Sequence, residues 1–185
     1  MWIFALALAY AFDCPSTSSE IETPDDPRLK GGGTMVVFKK ERHLGLYVHG
    51  ALKGCWRVGL ASTYAPGHKQ RVGDMRTPEG WYRTSDKPWS SFYAAIAIHY
   101  PEAEDAHRGV RDALITAEQR DEILDALQKG GKPPQNTRLG GEILIHGGGG
   151  STDWTLGCVA LDDPHIDALR AALPKGMRTD VLILP

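Results

Sequence analysis

Short apolar runs, each about the length of a strand and bounded by turn residues, constrain the fold of this chain more than any other feature. Seven runs have this form, at residues 34–39, 44–48, 55–61, 81–84, 93–100, 142–145 and 181–184. Runs of this length that carry β-branched, aromatic or alternating apolar residues favour strands. Glycine and proline separate them, as at 77–80, where proline presets φ of a turn and glycine suits its last position. The first two runs predict a hairpin.

Two helices are predicted among the strands. Thr116 and Gln119 have the spacing of a capping box, an apolar stripe follows them, and Gly130 is placed to end the helix. A second helix begins with Asp163 as its cap and runs to Pro174. Because strands are in the majority, the predicted fold class is mainly β with peripheral helices, arranged as a β-sandwich or partial barrel.

The N-terminal part of the chain predicts two segments that precede the folded body. Residues 1–13 are almost wholly apolar, and Ala9-Tyr10-Ala11 resembles a signal-peptide cleavage site, which indicates an exported or periplasmic protein. A misassigned start and an apolar N-terminal strand are the alternatives. Residues 14–33 are rich in Ser, Thr, Pro, Asp and Glu, a composition typical of a flexible linker. The predicted domain then spans residues 34–185.

Charge and cysteine content narrow the possible functions. The net charge of −2 lacks the basic surplus of a nucleic-acid groove, and no apolar run reaches the roughly 18 residues of a transmembrane helix. Three cysteines leave at least one free thiol in an exported protein. Cys14 and Cys55 could pair, but we expect both to be unpaired structural residues, with Cys55 packed in a strand.

The segment 140–161 contains the residues with candidate chemistry. A predicted strand ends at His146, four glycines follow it, and Gly157 precedes Cys158. Glycine is costly to order, so the run indicates either a close approach of the backbone to a ligand or a flexible loop. A thiolate is the nucleophilic form of cysteine, and an imidazole within hydrogen-bond reach can take the thiol proton. Cys158 and His146 are therefore the candidate nucleophile and base, with ordinary core or surface positions as the alternative.

Several nearby residues are candidates for supporting roles. A backbone carbonyl at 147–149 could hold the imidazole ring, and amides near Gly157 and Cys158 could form an oxyanion hole. Asp153 could orient His146 instead. One histidine and one cysteine are too few ligands for a zinc site. Possible substrate contacts, for which loop or core packing is the alternative, are Arg76, Ser151, Trp154 and Thr155.

These residues resemble the L,D-transpeptidase catalytic domain family, which has a YkuD-like fold. The family is recognised by His-Gly and, after a variable loop, by Ser or Thr, any residue, Gly and Cys. The matching residues are His146-Gly147 and Thr155-Leu156-Gly157-Cys158. Residues 36–59 resemble the opening hairpin of the family, and residues 73–82 resemble its Thr-Pro-x-Gly segment. Residues 133–141 and 153–155 are similar to a branch common in Gram-negative bacteria.

The resemblance implies a YkuD-like fold over residues 34–185 and a transferase that acts in cell-wall biogenesis and cell shape. Members attack the carbonyl of the third residue of a peptidoglycan stem tetrapeptide, expel D-Ala and pass the acyl group to an amine or to water. By position, Cys158 would be the nucleophile and His146 the general base, with Gly147 and Gly157 as backbone support. Carbapenem-type inhibitors would acylate the cysteine. No metal or organic cofactor is implied.

One position departs from the family pattern. Many members carry arginine two residues after the cysteine, where this chain has Ala160. Lys69, Arg71 and Arg76 are candidates to replace the contact that this arginine makes to the substrate carboxylate, but a solvated loop is the favoured interpretation of these three residues. Several functions stay open. They are a transpeptidase, a peptidoglycan hydrolase, carboxypeptidase or amidase with the same Cys-His site, a non-catalytic wall-binding domain, and a cytosolic protein without a wall role.

Overall fold

The computed structural model of the chain describes residues 14–21, 25–62, 66–173 and 179–185, and the predicted signal segment at 1–13 lies outside them. Within the described residues, eight strands form one sheet. They are β1 (Thr34–Phe38), β2 (His43–Val48), β3 (Ala51–Arg57), β4 (Gly80–Asp86), β5 (Ala95–Ile98), β6 (Leu144–His146), β7 (Val159–Ala160) and β8 (Asp180–Leu184). All of these except β7 overlap runs that the sequence predicts as strands.

The strand order is β3-β2-β1-β8-β4-β5-β6-β7, and the sheet curls into a half-barrel. β1 and β2 form the predicted antiparallel hairpin. The last described strand, β8, lies parallel to β1 and antiparallel to β4, so it joins the hairpin to the other strands. β4, β5 and β6 are antiparallel, whereas β6 and β7 run parallel. The fold is therefore mainly β, as predicted.

Three α-helices accompany the sheet within the described residues, namely α1 (Ala103–Arg111), α2 (Ala117–Gln128) and α3 (Asp163–Ala172). α2 has the predicted capping box between Thr116 and Gln119. α3 has its N-cap at Asp162, one residue before the predicted cap. α1 is not predicted from the sequence, and it begins with a capping box between Glu102 and Asp105. None of the described helices is long and apolar enough to cross a membrane.

The sheet is buried on both faces near its centre, because successive residues of a strand point to opposite faces. Met35 of β1 packs into the main core together with Ile145 of β6 and Val159 of β7. Ile166 of α3 belongs to the same core, so this helix packs on the face of the sheet to which Met35 points. Val36, the residue after Met35, packs on the outer face.

Residues 14–21 and 25–33, the described part of the N-terminal segment, lie along this outer face, so the prediction of a flexible linker is wrong for them. Short 3₁₀-helices form at Ser18–Glu20 and Pro27–Lys30. Ile21 and Leu29 are buried in one apolar cluster with residues of the hairpin. A few apolar side chains fix an otherwise polar segment here because the hairpin presents an apolar surface to receive them.

Cys14 and Cys55 form a disulfide, so the expectation that both are unpaired is wrong. Their Cα atoms are 5.8 Å apart, although 41 residues separate them in sequence. Cys14 is buried. The Tyr47 hydroxyl donates to the carbonyl oxygen of the next residue, Pro15, at 2.9 Å. The pairing depends on the ordered N-terminal segment, which residue spacing does not reveal.

We predict that replacing both Cys14 and Cys55 with serine lowers the free energy of unfolding by roughly 4 kcal/mol. The physical reason is the greater entropy of an unfolded chain that no longer contains the closed loop. Denaturant unfolding of the oxidised wild type and of the double variant measures the difference. Reductant should destabilise the wild type and leave the double variant unchanged. Equal stability of the two oxidised proteins would contradict the prediction.

Candidate active site

Parallel pairing of β6 and β7 brings the two predicted catalytic residues together. His146 is the last residue of β6 and pairs with Ala160, so Leu144 lies opposite Cys158 in the same register. Residues two apart share a face of a strand, so the side chains of His146 and Cys158 lie on one face. Strand spacing and rise place their backbones roughly 8 Å apart. On the other face, Val159 packs into the main core.

Both side chains line a cavity of about 510 Å³. Exposed Val72 and Leu156 contribute to its rim. Mostly apolar walls with a few polar groups are typical of sites that bind small molecules or peptides. The lining residues are Lys69, Val72, Gly73, Met75, Phe92, Gly140, Gly141, Glu142, Ile143, His146, Trp154, Thr155, Leu156 and Cys158.

The ring of His146 is 1% exposed and is held by the loop that follows it. Nδ1 lies 2.6 Å from the carbonyl oxygen of Gly147. Because a carbonyl can only accept, Nδ1 carries the proton and Nε2 keeps a lone pair in the neutral ring. Burial lowers the pKa of His146, and the hydrogen bond to Gly147 opposes this only in part. The imidazole is therefore neutral at neutral pH and can accept a proton at Nε2.

Two aromatic rings enclose the imidazole. Phe92 stacks on His146 with the ring centroids 4.0 Å apart and an interplanar angle of 18°. Trp154 meets the same ring edge-on at 5.5 Å, and its indole N–H donates to the Gly149 carbonyl oxygen at 2.9 Å. Both aromatic side chains also line the cavity. They therefore separate the imidazole from bulk water and form part of the cavity wall.

Among the described residues, the thiol of Cys158 bonds main-chain groups rather than the imidazole. The Leu144 amide donates to Sγ at 3.4 Å, and the thiol donates to the Glu142 carbonyl oxygen at 3.6 Å. Burial raises the pKa of Cys158, while the Leu144 amide and the positive charges of Lys69 and Lys87 act in the opposite direction. The resting thiol is therefore protonated at neutral pH.

A tight turn from Thr155 to Cys158 positions the thiol. The Thr155 hydroxyl donates to the Cys158 carbonyl oxygen at 2.8 Å and accepts from the Gly157 amide at 3.3 Å. Gly157 has φ of +118°, and a β-carbon there would lie 2.7 Å from the Arg76 carbonyl oxygen. Only glycine meets both demands, because it tolerates positive φ and has no β-carbon. The Gly157 amide thus supports the turn.

The glycine run at 147–150 is ordered by the beginning of α3. The Gly148 amide donates to the Asp163 carboxylate at 2.8 Å, and the Gly150 amide donates to the Asp162 carboxylate at the same distance. A β-carbon at Gly150 would lie 2.7 Å from the Arg57 carbonyl oxygen. Close approach to the protein's own backbone and carboxylates therefore accounts for these glycines. These contacts differ from both predicted explanations, a close approach to a ligand and a flexible loop.

Asp153 does not orient His146. Its carboxylate accepts from the Arg42 guanidinium at 2.9 and 3.0 Å and from the Leu60 amide at 2.8 Å. Burial opposes ionisation of Asp153, but these hydrogen bonds outweigh it and lower its pKa. The ion pair ties the loop that carries Trp154 to the turn between β1 and β2, and the hydrogen bond from Leu60 ties it to the segment after β3.

The predicted substrate contacts divide into two groups. Trp154 and Thr155 line the cavity beside the candidate pair. Ser151 is exposed and Arg76 is half-buried, and neither belongs to the cavity lining. The backbone of Arg76 packs against Gly157 instead.

The cations predicted to replace the missing arginine do not offer a free charge in the cavity. Ala160 itself is fully buried in β7. Lys69 lines the cavity, but its ammonium donates to Asp74 at 2.9 Å and to the Arg71 carbonyl oxygen at 3.0 Å. The side chain of Arg71 is exposed outside the lining.

Two residues of the site escape prediction from sequence. Phe92 stands in the turn-rich segment 88–93, whose three aromatic residues are the signal that could have identified it. Glu142 is predicted as an ordinary strand residue, yet its φ is +53° and β6 begins only at Leu144. No local pattern marks it, because its importance comes from what it contacts.

The family model for the L,D-transpeptidase catalytic domain, YkuD, matches residues 32–183. The chain belongs to this family. The match includes the hairpin, the candidate pair and β8, so the resemblance carried by the short motifs extends through the domain. The half-barrel sheet of the chain agrees with this assignment.

A curated relative is YafK of Escherichia coli strain K12, whose name places it among the L,D-transpeptidases. The two sequences are 39% identical over 105 residues, which is 51% of this chain and 41% of YafK. YafK of Escherichia coli O157:H7 matches with the same identity and coverage. The chain thus spans less than half the length of these relatives.

Two solved structures have the same fold. The helical cell shape determining protein Pgp2 from Campylobacter jejuni has a TM-score of 0.53 and 20% identity, covering 82% of this chain and 46% of Pgp2. Bd1075 of Bdellovibrio bacteriovorus has a TM-score of 0.51 and 19% identity, covering 83% of this chain and 48% of Bd1075. At these identities the likeness concerns the fold alone.

We predict that Phe92→Ala raises the pKa of His146 towards that of exposed histidine. Removing the stacked ring admits water, which reduces the desolvation that lowers the pKa. NMR titration of the histidine ring signals measures the shift. Trp89→Ala is the matched control, because Trp89 lies in the same loop and is 92% exposed. A pKa unchanged in Phe92→Ala would show that this ring does not set the desolvation.

We also predict that alkylation of Cys158 by iodoacetamide accelerates through the alkaline range without a plateau near neutral pH. Burial raises the thiol pKa, so the reactive thiolate forms at higher pH than in ordinary cysteine. Glutathione alkylated in parallel gives the reference profile. Cys158 is the free cysteine of the chain, so the adduct reports on this site. A rate that levels off below pH 7 would instead reveal a preformed thiolate–imidazolium pair.

Proposed function

We propose that this chain is a peptidoglycan L,D-transpeptidase that forms an acyl-enzyme on Cys158 with a stem tetrapeptide. The acyl group then passes to an amine, which cross-links or remodels the wall. The observation that carries the proposal is the position of Cys158 and His146 on one face of the same cavity. A contribution to cell shape belongs to the proposal, and Pgp2 is named as a cell shape determining protein.

Acylation requires a base and a mobile thiol. His146 Nε2 accepts the thiol proton, and the Cys158 thiolate attacks the carbonyl carbon of the third stem residue. The carbon–nitrogen bond to D-Ala breaks, and the imidazolium returns the proton to the leaving amine. The hydrogen bond from Nδ1 to Gly147 supports this role, because it leaves Nε2 unprotonated. Since Sγ rests on Glu142, the thiol rotates towards the ring before it reacts.

Deacylation reverses these roles. An acceptor amine attacks the thioester carbonyl and gives its proton to His146, and the carbon–sulfur bond breaks as Cys158 recovers a proton.

Of the amides predicted to form an oxyanion hole, that of Gly157 is engaged by Thr155. The Cys158 amide is therefore our candidate donor. Trp154 is our candidate wall for the stem peptide.

The disulfide supports an exported location for this enzyme. Disulfides form and persist in oxidising compartments such as the bacterial periplasm and are rare in the cytosol. The Cys14–Cys55 bond is buried on the outer face of the sheet, away from Cys158. We propose that the protein acts in the periplasm or elsewhere in the cell envelope, where peptidoglycan lies.

A peptidoglycan hydrolase with the same Cys-His site is the second candidate. The observation in its favour is Ala160, which is buried in β7 and cannot provide the carboxylate contact that arginine would make. Water would then replace the amine as acceptor of the acyl group. The acyl-enzyme on Cys158 is common to both candidates, so only the acceptor distinguishes them.

We predict that a carbapenem forms a covalent adduct with the wild type and none with Cys158→Ala. His146→Ala should acylate about 10²–10⁴-fold more slowly, which is the usual contribution of a general base. Intact-mass spectrometry measures both the adduct and its rate. Absence of an adduct on a folded, reduced Cys158 would contradict the proposed acyl-enzyme.

Product analysis separates the two candidates. With purified muropeptides, a transpeptidase yields a cross-linked or exchanged product, and its yield rises with the concentration of the acceptor amine. A hydrolase yields a shortened stem peptide whose amount does not depend on added amine. Cys158→Ala should yield neither product.

A further inference from the structure

Three charged side chains form a cluster around Glu142, a residue that lines the cavity and whose carbonyl oxygen contacts the thiol. The Glu142 carboxylate accepts from the Lys132 ammonium at 2.9 Å through one oxygen and from the Lys87 ammonium through the other. The two lysine side chains are only 26% and 25% exposed. Two positive charges therefore meet one negative charge, and the cluster carries a net charge of +1.

The backbone of Glu142 is fixed in an unfavourable conformation that places it at this point. Its φ is +53°, a region that non-glycine residues rarely occupy and that persists only when neighbouring contacts hold it. The Glu142 amide donates to the Gln135 side chain at 2.7 Å. The Glu142 carbonyl oxygen accepts from Cys158 Sγ at 3.6 Å. The resting thiol therefore contacts the backbone of the residue that gathers the two lysines.

Neither lysine of the cluster belongs to the described cavity lining, so their surplus positive charge reaches the cavity through their contacts with Glu142. The lining contains two charged residues, Lys69 and Glu142. Lys69 is neutralised by Asp74 and is almost fully buried, so its charge is already matched. Glu142 can match only one of the two lysines that meet it. The charges of the cluster also act on Cys158, because Glu142 raises the pKa of that thiol and Lys87 lowers it.

We propose that Lys87 and Lys132, held by Glu142, form a subsite that binds a carboxylate of the peptide substrate beside Cys158. A second carboxylate would complete an alternating arrangement of two ammonium and two carboxylate groups. Charge-assisted hydrogen bonds of this kind are stronger than neutral ones, and partial burial strengthens them further. The ligand class rests on the proposed function, since a stem peptide is what brings the carboxylate.

The subsite also accounts for the absence of arginine after the nucleophile. Ala160 is buried and Lys69 is committed to Asp74, so neither binds an anion in the cavity. Lys87 follows β4 and Lys132 follows α2, so both come from segments outside the motif that carries Cys158. The contact is supplied by tertiary structure instead of by the motif.

The test measures binding without catalysis, by calorimetry on the Cys158→Ala protein. The probes are a stem tetrapeptide that ends in D-Ala, its C-terminal amide, and a version that lacks the side-chain carboxylate of the third residue. We expect one of the two modified peptides to bind about tenfold more weakly than the unmodified peptide, and the carboxylate that this peptide lacks is the one that the subsite binds. The difference in affinity should shrink as salt is added.

Substitutions assign the effect to the cluster. Lys87→Met and Lys132→Met, each in the Cys158→Ala background, should weaken the unmodified peptide about tenfold and abolish its advantage. Lys129→Met is the matched control, because Lys129 also pairs with a carboxylate, Asp125, but on exposed α2. Glu142→Gln should bind the unmodified peptide at least as tightly as the parent, because a competing negative charge is removed.

Several outcomes would overturn the subsite. Equal affinity for all three peptides, or no binding of any, would do so. Equal weakening by Glu142→Gln and Lys87→Met in proteins with unchanged melting temperature would show that the cluster is only structural. These results are distinct from a failure of the proposed function, which is decided by the carbapenem adduct on wild-type Cys158.

Discussion

Main-chain pairing between β6 and β7 is the interaction on which the site depends. It continues beyond the strands, where the Leu161 amide donates to the His146 carbonyl oxygen at 2.8 Å and the Gly149 amide donates to the Leu161 carbonyl oxygen at 2.9 Å. The same strands send alternate side chains into the main core, so the positions of His146 and Cys158 are set by core packing as well as by hydrogen bonds. A shift of either strand would therefore move the imidazole relative to the thiol.

Burial decides the charge state of the pair. It lowers the pKa of His146 and raises that of Cys158, so both groups are neutral at rest. Phe92 and Trp154 contribute to this by enclosing the imidazole. A neutral pair suits an acyl-transfer site, because the nucleophile is generated only when a carbonyl group and an orienting contact are in place. Charged side chains meet instead at Glu142, which pairs with both Lys87 and Lys132.

The outer face of the sheet has a different role. The described residues before β1 cover the hairpin with Ile21 and Leu29, and the disulfide from Cys14 to Cys55 secures them to β3. This arrangement buries the side of the hairpin that would otherwise expose apolar residues to water. It stabilises the strands from which the half-barrel is built, at a distance from the cavity.

The sequence by itself determined the elements whose signals are local. Short apolar runs bounded by turn residues predicted seven strands, the spacing of Thr116 and Gln119 predicted α2, and the paired motifs predicted His146 and Cys158. Only tertiary structure decided the disulfide, the stacking of Phe92 on His146 and the meeting of Lys87 with Lys132 at Glu142. The physical reason is that periodicity and turn chemistry act between neighbours along the chain. Contacts between distant segments depend instead on strand register and on how the sheet curls.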